Sequence, residues 1–325
     1  MPGVLNFKRL LIGAMAVAGS LVANFIPLAE AATPAPAVEA GVTRSDVALS
    51  SGRRLSYLEW RTAGRPTLLM LHGKGSTAAD SQDLAAALAR DYRVIAVDLR
   101  GRGFSDWAPD GDYTVEATVD DLVQFARAMQ LGQFSIYGMS YGAVVGIALA
   151  NKLPSQIQVL LLEDGGPTTR SDGSLATLNP GQAAPAGAPT AAPVPAVYSS
   201  WEEMEAKLSP ARKATQSALE ARFVRDADGR VRDRSDVTGI WKSNRGEGFV
   251  RPWPLIRGLV APTLLIRADR GLMPEAIASD MQTVNPRITV VTVKNAGHGV
   301  HRDQFDEVLA HARTFLAQHL VSGVQ

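Results

Sequence analysis

The chain contains no cysteine. That excludes disulfides, thiolate metal sites and a cysteine nucleophile, and it leaves export open. It also lacks an excess of charge of either sign: 33 Lys and Arg stand against 32 Asp and Glu in 325 residues. No basic field therefore points to a nucleic-acid partner. No internal repeat is evident. What is present, 46% hydrophobic and 20% charged residues, is the composition of a packed globular protein. The length fits one large α/β domain with an insertion, or two domains.

The N-terminus carries an export pattern. Lys8 and Arg9 precede the uncharged run "LLIGAMAVAGSLVANFIPLA", which closes on Ala29-Glu30-Ala31. A basic start, an apolar run and a small-x-small end describe a signal peptide over residues 1–31, giving a periplasmic or secreted protein. Removing Lys8, Arg9 and Glu30 would leave a chain without net charge. An uncleaved anchor is the competing reading, since the run approaches the length of a short membrane-spanning helix. Gly13, Gly19, Ser20, Asn24 and Pro27 argue against it, so no stable span is expected after cleavage. No cysteine follows the run, which rules out a lipoprotein anchor.

After a tether at 32–42 the chain becomes regular. "VALSSGRRLSYLEWR" reads as two short strands around Ser51-Gly52. "PTLLMLHG", "YRVIAVDLRG", "FSIYG", "IQVLLLEDGGP", "PTLLIRAD" and "ITVVTV" read as buried strands, and helical spacing fills the intervals between most of them. Thr114 is placed to cap the helix "VEATVDDLVQFARAMQL". Apolar strands alternating with amphipathic helices give the fold class α/β, a mostly parallel central sheet covered on both faces. The rhythm breaks at 168–250, a Pro/Ala-rich stretch followed by helical pieces and the polar turn "RDADGRVRDRSD". The expected organisation is therefore core at 43–167, insertion at 168–250 and core at 251–325.

Ser140 stands between Gly138 and Gly142 in "YGMSYGA". A strand that turns abruptly into a helix has no room for β-carbons two positions before and two after the turning residue. The turning residue itself is strained, with its hydroxyl lifted clear of the sheet. The following helix directs its first amides at that hydroxyl, favouring developing negative charge. "GKGST" at 73–77 invites comparison with a phosphate loop. However, Leu68 and Gly75 stand where that motif requires a glycine and a Ser or Thr.

Four segments in order, "LLMLHGKGST", "VIAVDLRGRGFSD", "YGMSYGA" and "VKNAGHGVHRDQFDEVLAHARTFL", resemble the α/β-hydrolase superfamily over most of residues 43–320 apart from the insertion. The resemblance implies a serine nucleophile at Ser140 and an oxyanion hole made by the main-chain N–H groups of Lys74 and Tyr141. It implies His298, in "NAGHG", as the general base. His301 forms H-x-x-H with His298, but no third ligand accompanies them, so no metal is expected and His301 is read as starting the last helix. The charges of "DLRGRGFSD" are read as holding turns.

The acid is where the chain departs from the commonest pattern. Most relatives carry it after the family's seventh strand, where Gly271 stands here and Asp269 lies two residues early. Some carry it after the sixth, where Asp164 follows Glu163. Asp164 is the favoured acid and Asp269 the alternative, with Glu163, or no acid at all, left as further options.

The resulting expectation is a serine hydrolase cleaving a carboxylic ester or similar acyl bond of a small molecule through an acyl-enzyme, with no cofactor. Carbon–carbon, lactone and amide hydrolysis, and perhydrolysis, use the same triad, and a non-catalytic ligand-binding relative is the alternative of another class. In the family such an insertion forms a lid. Trp241, Phe249 and Trp253 would either line an apolar pocket or dock the lid. Nothing in the sequence indicates an oligomeric state.

Overall fold

The computed structural model describes residues 41–174, 193–208, 215–243 and 252–320. The expected signal peptide, most of the tether, Phe249 and much of the Pro/Ala-rich stretch lie outside these residues.

In chain order, β1 (Val42–Ala48) and β2 (Arg54–Trp60) form an antiparallel hairpin. β3 (Thr67–Leu71) leads through a 3-10 turn at Ala78–Ser81 to α1 (Gln82–Leu88). β4 (Arg93–Val97), α2 (Val115–Ala128), β5 (Phe134–Met139), α3 (Tyr141–Lys152) and β6 (Ile157–Glu163) follow. The segment after β6 carries β7 (Val197–Tyr198), α4 (Trp201–Lys207), α5 (Gln216–Arg222), β8 (Phe223–Arg225), β9 (Val231–Asp233) and α6 (Val237–Ser243). α7 (Pro252–Gly258), β10 (Thr263–Ala268), α8 (Glu275–Val284), β11 (Ile288–Val293), α9 (Val300–Asp303) and α10 (Phe305–Leu320) complete the chain.

The eight-stranded sheet runs β1-β2-β4-β3-β5-β6-β10-β11, parallel from β4 onward and antiparallel at the β1 and β2 edge. Side chains alternate between its faces, as a pleated strand requires. Leu69, Leu71, Ile95, Val97 and Ile136 join α2, α3, α7 and α8 on one side. Leu68, Met70, Val94, Ala96 and Tyr137 join α1 and α10 on the other. This is the expected α/β architecture.

Local chemistry explains the elements. Thr114 caps α2 by accepting the Ala117 N–H at 3.2 Å, with Glu116 in the first turn and Arg127 in the last, both favourable to the helix dipole. Two expectations change. β1 already begins at Val42, inside the presumed tether. The segment read as a polar turn is a hairpin: β8 and β9 pair antiparallel, and β9 also pairs with β7. Among its charged residues, Val224 and Val231 are buried, and Gly229 turns the chain at φ +87°.

The inserted segment docks at the ends of β3 and β4. Gln82 of α1 bonds Thr215 and Ser217 on one side. On the other, Asp236 N–H donates to the Gly101 carbonyl at 3.0 Å and the Tyr113 hydroxyl donates to Asp236 Oδ2 at 2.7 Å. Trp107 Nε1 donates to the Arg234 carbonyl at 2.8 Å. Trp253 packs against the main core, and Trp241 is half-buried in α6.

Candidate active site

Ser140 sits between β5 and α3 at φ 54°, ψ −112°, a strained conformation for a residue with a side chain. The flanking glycines are required by close approach. A β-carbon at Gly142 would strike the Leu71 carbonyl, and one at Gly138 would strike the Gly142 carbonyl. The strained turn is thus fixed by backbone packed against backbone, and Ser140 N–H is tied to the Glu163 carbonyl at 2.8 Å.

Ser140 Oγ lies 2.9 Å from His298 Nε2, and His298 Nδ1 lies 2.8 Å from Asp164 Oδ2. The Asp164 side chain is fully buried while that of His298 is one-third exposed. The carboxylate also accepts main-chain N–H groups from Leu272 at 2.6 Å, Ala268 at 3.2 Å and Met273 at 3.3 Å. The carboxylate is thus fixed by three main-chain donors on one side and orients the imidazole on the other, with Nδ1 toward Asp164 and Nε2 toward Ser140. Asp269 faces elsewhere, accepting the N–H groups of Asn295 and Ala296 at 3.1 and 3.2 Å. A β-carbon at Gly271 would collide with the Asp164 carboxylate. The space reached from β10 in the commoner pattern is occupied here by an acid arriving from β6, with Asp164 itself at φ 42°.

The loop after β3 lies against the serine: a β-carbon on Gly73 would come 2.9 Å from Met139 Sδ and 3.6 Å from Ser140 Cβ. His72 pins this loop, its Nδ1 donating to the Gly73 carbonyl at 2.7 Å and its Nε2 accepting the Leu99 N–H at 3.0 Å. Burial, with the nearby Arg102 charge, pushes its pKa down to about 4, which keeps it neutral and in that tautomer. Tyr141 opens α3, so its N–H has no intrahelical acceptor. Lys74 follows Gly73 in this loop, and Tyr141 directly follows Ser140.

Arg102 does more than hold a turn, the role expected of the charges in "DLRGRGFSD". Its side chain is buried, with Nε donating to the Lys74 carbonyl at 3.1 Å, Nη1 to the Arg100 carbonyl at 2.8 Å, and the guanidinium over the Tyr141 ring at 5.1 Å. Nη2 has no acceptor among the described residues. A cation between the two glycines of "GRG" was the available signal. Its neighbour Asp98 does hold turns, accepting from Ala78 N–H at 2.7 Å and Phe104 N–H at 3.1 Å and pairing with Arg44 at 2.9 Å. Among the described residues no cluster of His, Asp and Glu is arranged to hold a metal.

The sequence model of the "Alpha/beta hydrolase family" matches residues 68–311. A 3-hydroxybutyrate-oligomer hydrolase of Cupriavidus necator is 36% identical over 116 residues, 35% of this chain and 40% of that protein. The chain thus aligns with about two-fifths of the length of the first curated relatives it matches. An N-formylmaleamate deformylase of Pseudomonas putida is 28% identical over 279 residues, 84% of this chain and 96% of that protein. The solved structure of E-2-(acetamidomethylene)succinate hydrolase superposes with a TM-score of 0.71 at 20% identity, covering 85% of this chain and 99% of that one.

Proposed function

Because the chain belongs to the alpha/beta-hydrolase family, we propose that it is a serine hydrolase cleaving a carboxylic ester or related acyl bond, with Ser140, His298 and Asp164 as its triad. The observation that carries this reading is the continuous hydrogen-bonded row from Ser140 Oγ through His298 to a buried Asp164. Ser140 Oγ attacks the substrate carbonyl as its proton passes to His298 Nε2. The oxyanion of the tetrahedral intermediate takes the N–H groups of Lys74 and Tyr141. His298 then protonates the leaving oxygen, the C–O bond breaks, and an acyl group remains on Ser140. Water, deprotonated by His298, attacks that acyl group in turn and regenerates the serine. Asp164 holds Nδ1–H throughout and stabilises the transient imidazolium.

The proposal extends to the segment docked at the ends of β3 and β4 as a lid, and to export through residues 1–31. N-terminal sequencing of protein recovered from an expressing cell's envelope should begin at Ala32.

Amide hydrolysis is the second reading, supported by the deformylase relative that aligns over most of this chain. A panel of p-nitrophenyl esters of graded chain length, with a lactone and an N-formyl amide, separates the two. Ester turnover exceeding amide turnover supports the first reading; the reverse order moves the assignment to a C–N bond.

A further inference from the structure

Each residue of the Ser140–His298–Asp164 row has a neighbour in a second, buried network. Tyr137 lies three residues before Ser140 on β5, Glu163 immediately precedes Asp164, and His301 lies three residues after His298 on α9. The Glu163 carboxylate is fully buried. It accepts the Tyr137 hydroxyl at 2.6 Å, the His301 main-chain N–H at 3.0 Å and the His301 Nδ1–H at 2.8 Å. His301 Nε2 stands 3.4 Å from Ser81 Oγ. The Glu163 main-chain carbonyl holds the Ser140 N–H itself. One residue therefore touches β5 beside the nucleophile, continues into the acid, and grips the segment that follows the base.

Glu163 and His301 form a buried pair at 2.8 Å. Burial opposes both charges, but the His301 partner holds the Glu163 carboxyl below its ordinary value, and Glu163 raises the His301 pKa. Buried ion pairs of this kind contribute little to net stability compared with apolar packing, so their stabilising effect alone is a weak reason for one here. The nearby cavity, lined by Ser81, Tyr137, His72 and Met139 among others, holds only about 10 Å³, room for a single water at most.

We infer that Glu163, through Tyr137 and His301, is a positioning residue that sets the register of the three catalytic groups. This inference rests on the serine-hydrolase reading. Tyr137→Phe removes one hydroxyl, and His301→Leu removes the ring donor. His301→Asn keeps an N–H close to the place of Nδ1. Misplacing reacting groups by about 1 Å costs on the order of 100-fold. The Phe and Leu variants should therefore lose about 10- to 100-fold in kcat with KM within about twofold, and the Asn variant should recover most of that loss. In the proton NMR spectrum, the downfield resonance of His298 Nδ1–H should shift or broaden in the Phe and Leu variants. Folded Phe and Leu variants with wild-type kcat and an unmoved resonance would overturn the inference. If wild-type protein turns over no acyl substrate, the serine-hydrolase reading has failed instead. The resonance then decides alone: a shift in the variants supports the positioning role, and no shift overturns it.

Discussion

The carboxylate of Asp164 fills the space that a β-carbon on Gly271 would need. Because β6 and β10 are adjacent and parallel, with Glu163 beside Ile266, an acid from either strand end can reach His298. Asp164→Ala should lower kcat/KM by about 10⁴-fold, the scale expected when a triad acid is removed. Adding Gly271→Asp should restore at least tenfold of that loss, whereas Asp269→Asn should stay within about threefold of wild type. Steady-state kinetics on the three variants check this.

The glycines around Ser140 act through main-chain contact. Gly142→Ala would press a methyl group into the Leu71 carbonyl, so urea denaturation should show a loss of about 1–3 kcal/mol or more, together with loss of turnover. Gly75→Ala, which meets nothing within 4 Å, should match wild type in both.

Arg102 joins the two residues assigned to the oxyanion hole. Arg102→Gln should lower kcat by at least about tenfold with little change in KM, because the loop carrying Lys74 loses its tether and the site loses a positive charge. Arg102→Lys should recover only part of the activity, since an ammonium lacks the planar fork that bonds two carbonyls while lying over the Tyr141 ring.

Acid should destabilise the fold through His72. Its pKa is lowered from 6.5 to about 4, so the unfolded chain takes up a proton that the folded one refuses. Stability is fully present above about pH 6.5 and falls by about 3 kcal/mol as pH drops toward 4. The raised His301 works oppositely: its contribution is complete below about 6.5 and fades as pH rises through its folded pKa, so it stays level in this window. Urea midpoints measured from pH 7 to 4 should fall more gently in His72→Asn than in wild type.

The legible parts of this chain were those set by local periodicity or local sterics. Apolar strands of five to seven residues, the Thr114 cap and the Gly-x-Ser-x-Gly turn all act within a few residues of themselves. The acid was harder because its position depends on where a neighbouring strand's turn points its N–H groups. Leu272 and Met273 direct theirs at Asp164, while Asn295 and Ala296 occupy Asp269. The β8–β9 hairpin was missed because three-residue strands give no measurable alternation, and charged residues in and beside them form ion pairs, Arg232 with Asp226 and Arg222 with Asp233. The contacts of Arg102 and of the Glu163 network were hard to read for a related reason, most of their partners lying far away in sequence.

The central claim is that Ser140 is a nucleophile activated by His298. Treatment of folded protein with a fluorophosphonate probe, followed by peptide mass spectrometry, tests it most directly. One adduct is expected, on Ser140, forming rapidly in wild type and at least about 100-fold more slowly in His298→Gln. Folded wild-type protein that takes no label on Ser140, or takes it equally fast without His298, would contradict it.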